Sequence, residues 1–336
     1  MDFKSIPKVE LHQHLELSVR HSTIKELAPA LGIELPDENA FRQGFIIDEP
    51  MNDLGSVLNK FLDTQKLWNS EEILERITFE VCEDAFNMGV KILELRYAPT
   101  FIRQGHEHMS FEQIHKAIVK GAEKAEATYP MAVGLICIIQ RILPVNEAEA
   151  VTDFAIEHKD TFIGLDLADN EEGFDSKPFS PFFKRAVDAG LGITVHAGEI
   201  FTKKSPTYPK DAVEHLFATR IGHGVQVHRD EDMMAYIKDR NIVLELCPTS
   251  NFLTQAVPGE LKDHPFKKLM DAGLPVTVNT DDPGIFDTDI VKEYKILNEL
   301  FGITEDDFNR CNDTAAAASF ISADKKAKVW PRQIHS

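Results

Sequence analysis

Eight short apolar runs, separated by stretches with the period of amphipathic helices, constrain the fold of this chain more than any other feature. The strand-like runs lie at residues 9–15, 90–97, 133–139, 162–167, 192–196, 220–222, 242–246 and 276–279. Helical patterns at 71–87, 111–128, 179–189, 230–239 and 265–271 fall between them. Asp188-Ala189-Gly190 and Asp271-Ala272-Gly273 each put a glycine where a helix stops before the next strand. Such alternation predicts a parallel sheet with helical crossovers. Eight strands favour closure into a (β/α)8, or TIM, barrel, and 336 residues suit one such domain spanning 1–336. An open doubly wound sheet is the alternative, but no Gly-x-Gly-x-x-Gly follows a strand as a dinucleotide site needs. Residues 18–69 are too long for one crossover and predict extra N-terminal helices capping the barrel mouth. Residues 98–110 read as an irregular loop after the second strand.

Composition narrows the function classes. Asp plus Glu total 55 against 36 Lys plus Arg, a net charge of -19. That balance argues against a nucleic-acid partner, which calls for a basic face. The four cysteines, Cys82, Cys137, Cys247 and Cys311, are far apart and form no Cys-x-x-Cys. They indicate neither a disulfide framework nor a zinc knuckle, and read as buried thiols. No stretch approaches the ~20 apolar residues of a membrane span, and the first residues lack an apolar signal segment. A soluble cytoplasmic protein with a small-molecule partner is expected; the sequence leaves oligomeric state open.

Active sites of such barrels lie at the C-terminal ends of the strands. The first strand ends in His12-Gln13-His14, and alternation puts both imidazoles on one face. Strand five ends in Thr194-Val195-His196-Ala197-Gly198-Glu199, strand six in Arg220-Ile221-Gly222-His223-Gly224, strand eight in Asn279-Thr280-Asp281-Asp282-Pro283. Singly, each has an ordinary reading: a core histidine, a surface carboxylate, an Asp-Pro turn. Gathered at one end of one barrel they become a candidate site, because so many buried ionisable groups need partners. Several histidines and a carboxylate suit zinc or another borderline divalent ion.

The segments KVELHQHL (8–15), LELRYAP (93–99), GLDL (164–167), VHAGE (195–199), RIGHG (220–224), LCPTSN (246–251), His264-Pro265 and NTDDP (279–283) occur in one order across nearly the whole chain. In this the chain resembles the adenosine deaminase family of metal-dependent hydrolases. The resemblance implies a (β/α)8 barrel holding one zinc ion per chain, with His12, His14, His196 and Asp281 as ligands. It implies Glu199 as the proton donor, His223 as the water-orienting histidine and Asp282 as the partner of purine N7. It implies hydrolytic deamination of a purine nucleoside or base, adenosine first. For Glu199 to act as an acid its pKa must be raised by burial or hydrogen bonding.

Two positions depart from the family pattern. Leu17 stands where a glycine usually follows the acidic residue, here Glu16, and Asp169 stands where a glycine usually follows strand four. Both replacements fall on the substrate side of the site, so Glu16 and Asp169 are substrate-binding candidates, alongside Asp282. Adenine, a 5′-modified adenosine or aminodeoxyfutalosine are the alternative substrates. A binuclear amidohydrolase would need a lysine at the end of strand four, and residues 162–173 contain none. A non-catalytic relative would be expected to lack ligands that this chain keeps. The His-x-Glu and Pro-Cys-x-x-Cys signature of another zinc deaminase class is absent.

Overall fold

The structure is a computed structural model that describes residues 1–51 and 54–334. Its strands are β1 (Lys8–His14), β2 (Val90–Tyr97), β3 (Ala132–Gln140), β4 (Phe162–Ala168), β5 (Gly192–Ala197), β6 (Arg220–His223), β7 (Val243–Leu246) and β8 (Val276–Val278). Each pairs in parallel with the next in the chain. The expected (β/α)8 architecture is thus present, with strand ends within one residue of those read from the sequence. Residues 98–110 are more ordered than expected. They begin with a helix, Pro99–Arg103, whose first-turn proline has its φ preset and lacks only an N–H that would be orphaned anyway.

The segment just after β8 closes the ring. Asp281 N–H donates to His12 O and Asp281 O accepts from His14 N–H, both at 2.9 Å, a parallel bridge centred on Gln13. Asn279 Oδ1 accepts from Leu11 N–H at 3.1 Å on the same seam. β1 departs from strict alternation here. It advances three residues, Glu10 to Gln13, while β2 advances two, Leu93 to Leu95. This bulge turns two successive side chains inward: Leu11 packs with Val9, Ile92 and Ile321, and His12 faces His14, His196 and His223. The bulge lies below both histidines of the pair, so they still share a face.

Outside the barrel, alternate strand residues such as Leu93, Leu95, Leu135, Val195 and Leu244 pack against Ile77, Val81, Ile114, Phe183 and Leu269 of the surrounding helices. Inside, the floor is closed by Phe320 and Ile321 after the helix Glu305–Ala318. Gly164 and Gly192 leave room for the Phe320 ring: a Cβ on Gly164 would lie 2.9 Å from Phe320 Cδ2, and one on Gly192 would collide with the ring outright. Above the floor lies a layer of charge. Arg96 pairs with Asp166 (2.8 Å) and Glu245 (2.7 Å), and Arg220 with Glu94 (2.6 Å) and Glu245 (2.7 Å). All five side chains are almost wholly buried. The histidines form the layer above.

The expected cap is present. Helices His21–Leu27, Glu38–Phe45 and Leu54–Gln65 precede Glu71–Asn87; residues 52 and 53 of the predicted cap lie outside the described residues. Ile47 N–H donates to Ile285 O and Met51 N–H to Leu253 O, both at 2.8 Å, docking the cap on the loops after β8 and β7. Leu17, Ile47, Leu253, Ile285 and Phe286 pack together beneath it. No helix among the described residues is long and apolar enough to cross a membrane. The crowded floor yields a test: Gly192→Ala should cost about 1–3 kcal/mol of stability, as overpacking does, read from urea unfolding. An unchanged midpoint would mean that Phe320 does not hold the floor.

Candidate active site and metal centre

One donor atom from each of His12, His14, His196 and Asp281 lies within 4.8 Å of the others. The imidazoles are aimed by buried carboxylates. His12 Nδ1 is 2.8 Å from Glu245 Oε2, and His196 Nδ1 is 3.0 Å from Asp166 Oδ2. A neutral imidazole that donates from Nδ1 keeps a lone pair on Nε2. These lone pairs converge. His12 Nε2 sits 3.2 Å from Asp281 Oδ1 yet makes no hydrogen bond. His14 Nε2 is 3.3 Å from the same oxygen and 3.2 Å from His196 Nε2. Asp281 Oδ2 is occupied by the Ser250 hydroxyl at 2.6 Å, which leaves Oδ1 for the cluster. Three imidazole nitrogens and one carboxylate oxygen converging at these distances fit a divalent cation, and the donor types fit a borderline one.

The charged layer beneath favours that cation. Three carboxylates, Glu94, Asp166 and Glu245, share two guanidinium groups, Arg96 and Arg220, so one negative charge is left over. Burial alone would raise Asp166, but His196 and Arg96 hold it below the usual carboxylate range. Burial likewise opposes ionisation of Glu245, and Arg96 and Arg220 overcome it. A second group of possible ligands, His223, Cys247 and Asp281, shares the last residue. Burial pushes the Cys247 thiol well above its ordinary value, and a thiol that keeps its proton is a poor ligand.

On the open side stand the groups expected to handle protons. Burial raises Glu199 to about 8, helped by the charges of Asp281 and Glu171, while its side chain keeps 23% exposure and faces His223 Nε2 at 3.7 Å. Burial raises Asp282 well above the usual range, with the charges of Asp281, Glu16 and Glu199 adding to it; its Oδ1 has no partner. Glu16, raised by burial to about 8, accepts from Ala98 N–H at 2.5 Å through Oε1 and leaves Oε2 unpaired. The structure therefore brings His12, His14, His196, Asp281, Glu199, His223, Asp282 and Glu16 to one end of the barrel. The two departures sit differently. Asp169 is exposed at the end of β4, with φ 83°, and accepts from Gln140 Nε2 at 3.2 Å. Leu17 is buried in the apolar cluster under the cap.

Sequence reasoning passed over several residues. Arg96, Asp166 and Glu245 lay inside strand-like segments without a role. Glu171 carried no signal at all, yet its buried carboxylate accepts from Gly198, Glu199 and Ile200 N–H at 2.7, 3.0 and 3.2 Å. It holds the turn that presents Glu199. Arg141 donates to Leu167 O at 3.0 Å and His196 O at 2.5 Å, tying the ends of β4 and β5 together.

The family profile described as adenosine deaminase matches residues 7–334. An adenosine deaminase from Shewanella halifaxensis (strain HAW-EB4) is 34% identical over 332 residues, 98% of each chain. The chain belongs to the adenosine deaminase family. Among solved structures, adenine deaminase from Arthrobacter aurescens has a TM-score of 0.86 at 26% identity, covering 96% of each chain. An amidohydrolase from Burkholderia ambifaria, solved with bound Zn, has a TM-score of 0.85 at 25% identity, covering 97% of this chain and 88% of that one. The enzyme is a hydrolytic deaminase of a metal-dependent family, and its histidine–aspartate cluster fits a metal site.

The carboxylates behind the ligands give a prediction. Asp166→Asn and Glu245→Gln leave all four donor atoms in place, but each should weaken metal affinity by about 10–100-fold, the usual cost of losing an outer-shell partner. Competition with a metallochromic chelator measures it. Parent-like affinity in both variants would contradict the aiming role.

Proposed function

We propose that this deaminase hydrolyses the amino group of an aminopurine nucleoside, adenosine first, with one zinc ion held by His12, His14, His196 and Asp281. The observation that carries the reading is the convergence of that donor set with a raised glutamic acid, Glu199, on the open side of the same cavity. Zinc in the Burkholderia neighbour and the borderline donor set support the choice of metal. When bound, the ion supplies an acidified water as the nucleophile.

The chain's own groups do the rest. Glu199, protonated at neutral pH, gives its proton to the ring nitrogen beside the amino-bearing carbon and makes that carbon electrophilic. Asp282, also kept neutral by burial, donates to purine N7. His223 Nε2, 3.7 Å from Glu199 and 3.9 Å from Asp281 Oδ2, faces the oxygen that attacks and stabilises charge developing there. Glu16 Oε2, buried and unpaired, takes a donor from the far end of the substrate, a sugar hydroxyl in adenosine. The adenosine deaminase relatives at about a third identity favour the nucleoside. The adenine deaminase neighbour makes the free base the second reading.

Four outcomes check this reading. Purified enzyme should hold one divalent ion per chain by elemental analysis; two ions would exclude the mononuclear site. Glu199→Gln should keep that ion and lose about 10²–10⁴-fold in kcat, as loss of a general acid does. Only protonated Glu199 donates, so activity falls as pH rises through its pKa. A bound cation draws that value down from about 8, so the alkaline limb of kcat/KM should lie at or below pH 8. Activity still climbing above that pH would contradict the assignment. Asp169→Gly should change the ranking among adenosine, adenine and 5′-modified adenosines without touching metal content. A polar contact to substrate can be worth several kcal/mol of preference, against ~1–3 kcal/mol for a methylene-sized misfit. An unchanged ranking would make Asp169 neutral to substrate choice.

A further inference from the structure

We propose that Asn251 and His264 are positioning residues that order the hydrogen bonds behind His223, so that His223 presents an N–H, not a lone pair, to the attacking oxygen. This deepens the functional reading above and rests on it for the oxygen that His223 faces.

The ordering begins at a backbone N–H, whose polarity is not in question. The helix Phe266–Asp271 follows Pro265, and the amides of its first turn have no intrahelical acceptor. Phe266 N–H donates to His264 Nδ1 at 3.2 Å. His264 Nδ1 therefore holds a lone pair, and the ring's single proton sits on Nε2. His264 is buried, which pushes its pKa down to about 3, so the ring is neutral at pH 7. Its Nε2 lies 3.2 Å from Asn251 Oδ1. An N–H must meet a carbonyl oxygen there, since the flipped amide would set donor against donor, and this fixes the Asn251 side chain. Asn251 Nδ2 then donates to His223 Nδ1 at 3.0 Å. His223 must carry its own proton on Nε2.

Each link determines the next, and no water can replace one. Asn251 is fully buried, and His223 and His264 nearly so. With Asn251 Nδ2 as the donor, His223 Nδ1 accepts, so it is the neutral ring that is ordered. His223 Nε2 faces the carboxyl oxygens Glu199 Oε2 at 3.7 Å and Asp281 Oδ2 at 3.9 Å. A histidine in this state donates a hydrogen bond to the attacking oxygen and stabilises its charge; it does not remove a proton from it. Both ring nitrogens are thereby committed, which also withdraws His223 from the second ligand group it forms with Cys247 and Asp281.

The test needs no variant at first. In metal-loaded enzyme labelled with ¹⁵N-histidine, the His223 signals, assigned by their loss in His223→Gln, should show a protonated Nε2 and an unprotonated Nδ1. The reverse pattern overturns the proposal. Asn251→Asp supplies acceptors to both neighbours and should move the His223 proton to Nδ1. With the lone pair now facing the site, kcat should fall by about 10²–10⁴-fold, the range between losing one donor and trapping the wrong tautomer. KM should stay within about threefold, because the lost interaction is made in the transition state, and one ion per chain should remain. A moved proton with parent-like kcat, a change in KM alone, or loss of the ion would each overturn it. If the parent turns over no aminopurine, the functional reading fails while the tautomer measurement still decides the ordering.

Discussion

The Arg96 guanidinium, buried between Asp166 and Glu245, is the interaction on which the site depends. Those two carboxylates aim His196 and His12, so the position of two metal-facing nitrogens is set by how firmly one arginine holds two acids. A buried carboxylate without a cation would be protonated or would draw in water, and either would free the imidazole it orients. Arg96 also donates to Leu11 O at 2.6 Å, at the bulge of β1. The same group therefore ties the charged layer to the backbone irregularity that brings His12 inward. Arginine suits this position because its planar fork reaches two acids and a carbonyl at once, and because it stays charged when buried.

Much of the fold was legible because it is local. Each strand announced itself by a short apolar run, and β2 and the helices Glu71–Asn87 and Phe111–Thr128 have the bounds their patterns predict. The strand-end histidines and aspartates were legible for a different reason: barrel topology sends strand ends to one place whatever the loops do. What remained hidden is long-range. Arg96 lies 70 residues from Asp166 and 149 from Glu245, and read alone each is only a costly charge in an apolar strand. Glu171 was hidden because its partners are backbone amides, which no side-chain pattern marks. The short helix Pro99–Arg103 was missed although Pro99 at its start was a usable signal.

Three strand-end positions adopt left-handed backbone without being glycine: Asp169, His223 and Asp281, with φ of 83°, 58° and 67°. Such conformations cost of order 1–3 kcal/mol each and persist only where surrounding contacts over-determine them. For His223 and Asp281 those contacts are the relay through Asn251 and the seam with β1. Asp169 has weaker support, a bond from Gln140 and one from its neighbour Asn170 N–H at 2.7 Å. Asp169 is thus an exposed side chain held in a glycine's conformation by two polar contacts alone, unlike His223 and Asp281.

The seam that closes the barrel joins residue 281 to residues 12 and 14. The candidate metal-binding cluster therefore draws on residues 12 and 14 at one side of this seam and 281 at the other, with His196 in between. During synthesis, β1 must wait with two of the candidate ligands in place until residue 281 has emerged. A fragment lacking the last sixth of the sequence could form most of the βα units and still have neither a closed ring nor a complete set of donors. Contacts of such large sequence separation form late and lower the rate of folding. In this enzyme closure of the ring and assembly of the candidate donor set depend on the same segment, residues 279–281.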